Sequence, residues 1–422
     1  MHFKFLHTAD IHLDSPLRGL ERYEGAPVNE IRGSIRQAFD HLIDLAIEEQ
    51  VAFVLIAGDL YDGDWKDYNT ALYFNKCMSK LNNHGIKVFL IRGNHDAASL
   101  MTKHLRLPEN VTLFSTKKPQ QIVLEDLNVC IHGQSYANRS VQENLSVNYP
   151  LGNSKFFNIG VLHTSLDGRE GHDHYAPCSV DDLQSKGYQY WALGHIHKRE
   201  IVSKDPWIVF SGNIQGRHIG EQGSKGCTLV TVEHGEIANV KHHTLDVMRW
   251  KLLEVDVSNC HSVDNACELL RDELIEELNR NHGLLLAIRL VFKGVSPIHS
   301  KFSKNQEQLI SDLRALVTEI DHERVWLEKI YFNTKAPTSI EAIFERNDAL
   351  SELLHSIENI EFHDMERIGL FHELDDLNAK LPREIKERND FLEYNNETSV
   401  KKALQETKNF LIQKLLNVEI EK

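Results

Sequence analysis

Five short motifs, all within the first 197 residues, set a hard metal ligand directly behind an apolar run. They are Asp10-Ile11-His12, Gly58-Asp59, Gly93-Asn94-His95-Asp96, Leu162-His163 and Gly194-His195-Ile196-His197. For these residues to act together, a fold must carry the ends of five separate runs to one place. An open α/β sheet does so, because the loops at the carboxyl ends of neighbouring strands converge on one crevice. The flanking pattern agrees. Apolar runs at 3–9, 51–57, 86–91, 129–131, 158–162, 190–193, 207–210 and 227–232 are short and rich in β-branched or aromatic residues. Such runs read as buried strands. Between the early runs, Ile31, Ile35, Phe39, Leu42, Ile43 and Ala46 fall on one helical face. A second helix is expected from 67 to 81, stopping near Gly85. Residues 1–245 therefore read as a layered α/β domain.

The pattern restarts near Trp250. Strands are expected at 252–257, 284–292 and 325–332, with Ser262 capping a helix that reaches about 279 and Ser303 capping another. This describes a small separate α/β domain over 250–335, closed by Ala336-Pro337-Thr338. Beyond it the chain reads as helical, over 338–360, 366–381 and 397–418, with a break at Pro382. Val400, Ala403, Leu404, Thr407, Leu411, Leu415 and Val418 form an apolar stripe on the last of these. That stripe needs either a partner surface or the tail's other helices to cover it.

Composition limits the function classes. The 422 residues carry a formal charge of −15, which argues against a protein that simply coats nucleic acid. The charge is uneven: residues 338–422 hold 11 Lys and Arg against 19 Asp and Glu. No apolar stretch approaches the roughly 20 residues of a membrane span. The first strand runs straight into the first motif, which leaves no room for a signal peptide. A cytoplasmic protein is expected, with its six scattered cysteines reduced.

The motifs supply seven oxygen and imidazole ligands: Asp10, His12, Asp59, Asn94, His163, His195 and His197. Asp10 and His12 stand two apart, as do His195 and His197, so an extended backbone would send each pair to one side. Asp59 is placed to bridge two ions. Carboxylate, amide oxygen and imidazole without thiolate suit Mn²⁺, Fe²⁺ or Zn²⁺ and disfavour a structural zinc site. Two ions about 3.5–4 Å apart hold the attacking and leaving oxygens of an in-line displacement at phosphorus, which points to phosphate-ester hydrolysis. Arg217 and His218 suit either contact with substrate phosphate or a surface turn between Gly216 and Gly220. The His-containing segment 169–175 suits either a loop over the site or a solvated loop. For Trp65, Tyr68, Trp191 and Trp207, packing is expected rather than base stacking.

The order D-x-H, G-D, G-N-H-D, H, G-H-x-H resembles the signature of the calcineurin-like metallophosphoesterases. Within that family His-Thr-Ala-Asp-Ile-His-Leu around residue 10 and Ala-Gly-Asp-Leu-Tyr-Asp at 57–62 resemble the DNA-repair nucleases of the SbcD type. The 211–218 stretch Ser-Gly-Asn-Ile-Gln-Gly-Arg-His and Lys225-Gly-Cys-Thr-Leu-Val resemble the YhaO-type branch. The resemblance implies a layered α/β sandwich, with 250–335 as a capping domain and the helical tail as a partner-binding region. It implies one ion on Asp10, His12, Asp59 and His197, and another on Asp59, Asn94, His163 and His195. Manganese is the expected metal. His95 would protonate or stabilise the leaving oxygen, and Asp62, where some repair nucleases carry His, would orient it. It further implies a DNA exonuclease acting in repair with an SMC-like coiled-coil ATPase of the SbcC type. The helices at 31–47 and 67–82 offer a homodimer surface. The rival readings are a phosphodiesterase or phosphatase on nucleotides or phosphoproteins, and a non-catalytic scaffold whose metals stabilise the fold.

Overall fold

A computed structural model describes residues 2–15, 17, 25–62, 68–98, 107–167, 175–304, 306–337, 349–359 and 401–411. The first part of the chain forms, in order, β1 (His2–Thr8), α1 (Val28–Glu48), β2 (Phe53–Ala57), α2 (Tyr68–Asn82), β3 (Lys87–Ile91), α3 (Asn94–Ala98), β4 (Val111–Leu113) and β5 (Gln120–Leu124). It continues through β6 (Val129–Gly133), β7 (Phe157–His163), α4 (Val180–Gln184), β8 (Tyr190–Gly194), β9 (Glu200–Lys204), β10 (Trp207–Phe210), β11 (Gly226–Glu233) and β12 (Glu236–Thr244). Two six-stranded sheets result, ordered β12-β11-β1-β2-β3-β4 and β5-β6-β7-β8-β10-β9.

The period of two along each strand builds the layers. On β1, β2 and β3, Leu6, Val54, Ile56, Val88 and Leu90 join a core with Ile35, Phe39, Leu42 and Phe74 of α1 and α2. Their neighbours Phe5, Phe53, Leu55, Phe89 and Ile91 face the other way and meet Val129, Ile131, Ile159, Val161, Tyr190 and Val209 of the second sheet. The outer face of that second sheet buries Leu162, Trp191, Leu193, Ile208 and Phe210 against Leu145, Tyr149 and Leu183. The order is helix, sheet, sheet, helix. Strands buried on both faces read as unbroken apolar runs, which is why their sequence signal is strong.

The strands that the sequence pattern misses are β4, β5, β9 and β12. Each lies at or beside a sheet edge and is largely half-buried or exposed, so no apolar run marks it. The second helix ends as expected at Gly85, whose φ of 70° suits a left-handed helix stop. There Ile86 N–H donates to Leu81 O at 3.1 Å.

β1–β2–β3 run parallel, as do β6–β7–β8 and β10. All five motifs therefore leave from carboxyl ends. Trp191 is fully buried and Trp207 partly so, while Trp65 and the 169–174 segment lie outside the described residues.

Contacts divide the chain into one unit of Met1–Glu254, Arg271–Val291 and Arg314–Tyr331 and a second of Val255–Leu270, Phe292–Leu313 and Phe332–Lys422. A third sheet, β13 (Met248–Asp256), β14 (Leu285–Val295) and β15 (Val325–Lys335), is accompanied by α5 (Val263–Arg280), α6 (His299–Lys304) and α7 (Gln306–Asp321). Ser262 caps α5 by accepting from Asn265 N–H at 3.1 Å. Ser303 is not a helix cap. It sits inside α6, and the longer helix starts after it, at Gln306. In the second unit Phe292 packs on Phe302 and Phe332 at 5.2 and 5.8 Å. The tail contributes helix α8 (Ala349–Glu358) and a helix over 401–411, with Ile357 and Leu404 buried and Phe410 and Leu411 exposed. The helix expected at 366–381 and the ends of that at 397–418 lie outside the described residues. Among the described residues no helix is long and apolar enough to cross a membrane.

The layer between the two large sheets is expected to dominate stability. Phe53 stacks on Phe5 at 5.1 Å and meets Phe89 edge-on at 5.8 Å. Phe53→Ala should cost about 3–5 kcal/mol, the usual range for a buried Phe, read as a drop in the urea midpoint. A midpoint no lower than that of the exposed-site control Leu72→Ala would show that this layer is not what holds the domain.

Candidate metal centre

The chain leaves β1 with Asp10 and His12 in the left-handed conformation, at φ 51° and 48°. The extended backbone expected for this pair is therefore not what aims them. Instead Asp10 N–H donates to Gly58 O and His12 N–H to Asp59 O, both at 3.0 Å, which ties the first motif to the second. Asp59 and His195 also have positive φ, 52° and 99°. Such conformations cost non-glycine residues on the order of 1–3 kcal/mol each and persist where surrounding structure over-determines them.

Glycines make room for the ligands. At Gly58, with φ +93°, a Cβ would lie 2.5 Å from His163 Nδ1, and at Gly194 it would collide with Ala57 O. The latter contact is between the two large sheets, so the glycine sets how closely the two ligand-bearing edges approach.

The side chains converge as the sequence leads one to expect. Asp10, His12 and His197 offer ligand atoms within 4.8 Å of one another, as do Asp10, Asp59 and His163. His12 Nε2 and His197 Nε2 face each other at 3.3 Å. His163 Nε2 lies 3.0 Å from Asn94 Oδ1 and 3.4 Å from Asp59 Oδ2. His163 donates its Nδ1 proton to Ala57 O at 2.9 Å, which leaves Nε2 toward the cluster. His195 is placed differently from the rest. Its backbone N–H donates to both Asp10 oxygens at 3.0 Å, and its ring packs 5.2 Å from that of His163.

Charge in this pocket calls for a cation. Asp10 and Asp59 are both 1% exposed. Burial raises the Asp10 pKa. Burial alone would also raise that of Asp59, but His163 and His12 outweigh it and hold it low. Burial alone would lower the His163 pKa, yet Asp59 and Asp10 lift it to about 9. Burial holds His12 down near 3, so it presents a lone pair. Buried carboxylates beside inward-facing imidazole nitrogens fit a divalent-ion site.

A second group lies beside the ligands. His12, Asp62 and His95 also come within 4.8 Å. His95 Nδ1 is 2.8 Å from Asp62 Oδ1, whose other oxygen accepts from Ser15 Oγ at 2.6 Å. Burial opposes protonation of His95, but Asp62 overrides it and the net shift is upward.

Three residues beyond the expected set support the ligands. Asp96, already within the third motif, accepts from the backbone N–H groups of Leu60, Tyr61 and Gly93, so it locks the Gly58–Asp59 turn to the Gly93–Asn94 turn. Tyr136 donates to His163 O at 2.7 Å. Glu221 accepts the His197 Nδ1 proton at 2.6 Å and also bonds Asn213 Nδ2 and Arg217 N–H. No spacing rule marks Glu221, because its partner is 24 residues away and the link exists only in the folded loop. Arg217 stands 3.3 Å from Glu221 Oε1 and from His197 Nδ1, at the edge of the ligand cluster. His218 is 63% exposed, with Nε2 3.5 Å from Glu221.

Residues 3–199 match the family model described as calcineurin-like phosphoesterase, and 250–335 match that described as metallophosphoesterase YhaO, middle domain. The chain is 37% identical over 297 residues to the uncharacterized metallophosphoesterase YhaO of Bacillus subtilis, covering 69% of this chain and 72% of that protein. The chain belongs to the calcineurin-like metallophosphoesterases. Its site is thus a divalent-metal site of a phosphoester hydrolase. It is also 24% identical over 378 residues to the DNA double-strand break repair protein Mre11 of Sulfolobus acidocaldarius, covering 84% of this chain and 91% of that one. Among solved structures it is similar to TT1561 of Thermus thermophilus, at TM-score 0.35 and 11% identity over 58% of this chain and all of that one. It is similar too to a dimetal phosphatase from Danio rerio, at TM-score 0.34 and 12% identity over 55% of this chain and 93% of that one.

Glu221 is expected to tune this metallophosphoesterase's affinity for its ion. Glu221→Gln keeps the shape and removes the charge facing His197. Loss of such a partner typically costs about 10–100-fold in metal affinity, to be read by competition with a graded chelator. An unchanged competition curve would mean that Glu221 serves only the local loop.

Proposed function

We propose that this metallophosphoesterase is a two-metal DNA exonuclease acting in repair. The observation that carries the reading is the joint presence of the ligand cluster and of the His95–Asp62 pair beside it. A site that only stabilised the fold has no use for a positioned proton donor. The similarity to a DNA double-strand break repair protein over 84% of the chain supports DNA as the substrate.

In this reading Asp10, His12, Asp59 and His197 would hold one ion, and Asp59, Asn94, His163 and His195 would hold the other, with manganese as the expected metal. When bound, the ions supply Lewis-acid polarisation of the phosphoryl group and activation of water. The chain's own groups do the rest. Asp62 accepts from His95 Nδ1–H and fixes its tautomer and tilt, and Ser15 holds Asp62. The raised His95 then delivers a proton from its other ring nitrogen to the leaving oxygen. Arg217 and His218 contact substrate phosphate. The 250–335 domain selects the substrate form.

Pure protein with Mn²⁺ is expected to degrade labelled linear duplex as well as bis-p-nitrophenyl phosphate, with circular single-strand DNA tested in parallel. His95→Ala should keep its metals and lose about 10²–10⁴-fold in rate, as for a positioned general acid. Strong ester cleavage with no action on either DNA would favour a phosphodiesterase or phosphatase, the reading toward which the −15 net charge leans. Loss of metals from His95→Ala would overturn the assignment of roles in the third motif.

The tail, 338–422, is assigned to docking a coiled-coil ATPase by helix-in-groove contact. The exposed Leu411 on the helix over 401–411 supports this assignment. A chain ending at Pro337 should still cleave a small diester and should lose ATPase capture. Capture at full stoichiometry by the shortened chain would place docking elsewhere.

A further inference from the structure

A cavity of about 620 Å³ opens beside His197, lined also by Lys198, Arg217, His218, Glu221 and Lys225. The loop that carries most of it, between β10 and β11, runs from Ser211 to Lys225. In a chain of net charge −15, three basic side chains here stand with one carboxylate. That carboxylate is already engaged, because Glu221 accepts from His197, Asn213 and the Arg217 backbone. Glu221 therefore binds the protein rather than repelling an incoming anion.

The cations keep donors in reserve. Arg217 is 13% exposed at its side chain, and one terminal nitrogen lies 3.3 Å from both Glu221 Oε1 and His197 Nδ1. Its buried Nε has no hydrogen-bond partner among the described residues. Lys225 spends one of its three donors on His197 O at 3.0 Å. A guanidinium with unused planar donors suits phosphate, and an ammonium adds a point charge. A cavity of this size lies within the roughly 300–1,000 Å³ of small-molecule sites and exceeds the needs of one bare phosphate. His197 joins the two places, since it lines the cavity and also belongs to the ligand cluster.

We propose that this cavity binds a second phosphate of the substrate, the one adjoining the scissile phosphate along a nucleic-acid strand. The proposal rests on the nuclease reading and narrows it. Substrates carrying consecutive phosphodiesters fill both places, and simple monoesters fill only the metal centre. Arg217 grips the second phosphate, Lys198 and Lys225 set the field, and His218 closes the exposed side.

The test is calorimetric binding to the full chain loaded with Mn²⁺ and carrying His95→Ala, so that turnover does not consume the ligand. The ligands are thymidine 3′,5′-bisphosphate, thymidine 5′-monophosphate and thymidine 5′-diphosphate. The bisphosphate should bind at least about tenfold tighter than the monophosphate, the worth of one charge-assisted contact. Arg217→Met should remove most of that advantage. Lys198→Ala, a change at the cavity rim, should reduce it severalfold. Equal affinity for bisphosphate and monophosphate would overturn the proposal, as would a full advantage in both variants. Tighter binding of the diphosphate than of the bisphosphate would overturn the strand assignment. The nuclease reading fails separately, through absence of DNA cleavage by the unsubstituted chain.

Discussion

Two carboxylates, Asp10 and Asp59, lie almost wholly out of water within one ligand cluster. Burying one unpaired charge is expensive, and burying two beside each other is more so. The protein meets that cost with His163, His12 and His197 around them and with a place for divalent cations between. The centre thus imposes a demand on the rest of the domain: five chain segments from two sheets must stop within ångströms of one another. The packed aromatic layer between the sheets, built on Phe5, Phe53 and Phe89, meets the demand by fixing the spacing of the two strand edges.

Strain is placed where the demand is greatest. Asp10, His12, Asp59 and His195 all sit at positive φ, in turns stitched by backbone hydrogen bonds and by the Asp96 carboxylate. Glycines at 58 and 194 leave no side chain between the ligands and the opposite sheet. Around this rigid centre lie two flanks of opposite character. On one, Ser15 bonds Asp62 and Asp62 faces His95. On the other, Glu221 ties His197 to Arg217 at the mouth of a cationic cavity. His197 takes part in both the cluster and the cavity, so the two places share a residue.

The buried strands β1, β2, β3, β7 and β8 were legible because both their faces are covered, which writes an unbroken apolar run into the sequence. β4, β5, β9 and β12 were not, because a strand at or near an edge with water on one side needs no such run. The gathering of Asp and His side chains was legible for a chemical reason: few arrangements of such residues at strand ends serve any purpose but metal binding. Glu221 was invisible for the complementary reason, since a lone acid in a polar loop has no pattern.

Residue identity and order thus determined the α/β class, the Asp and His residues that gather at the cluster, the His95–Asp62 pair and membership in a metal-dependent hydrolase family. All of these depend on local periodicity or on chemistry that only certain side chains possess. Tertiary structure decided how the ligands are aimed, which is by left-handed turns and not by an extended strand. It decided too that Asp96 and Glu221 support the centre, and that the turn closed by Glu221 N–H to His218 O places Arg217 beside a cavity. Those outcomes depend on distances between segments far apart in sequence, and such distances exist only once the two sheets have packed.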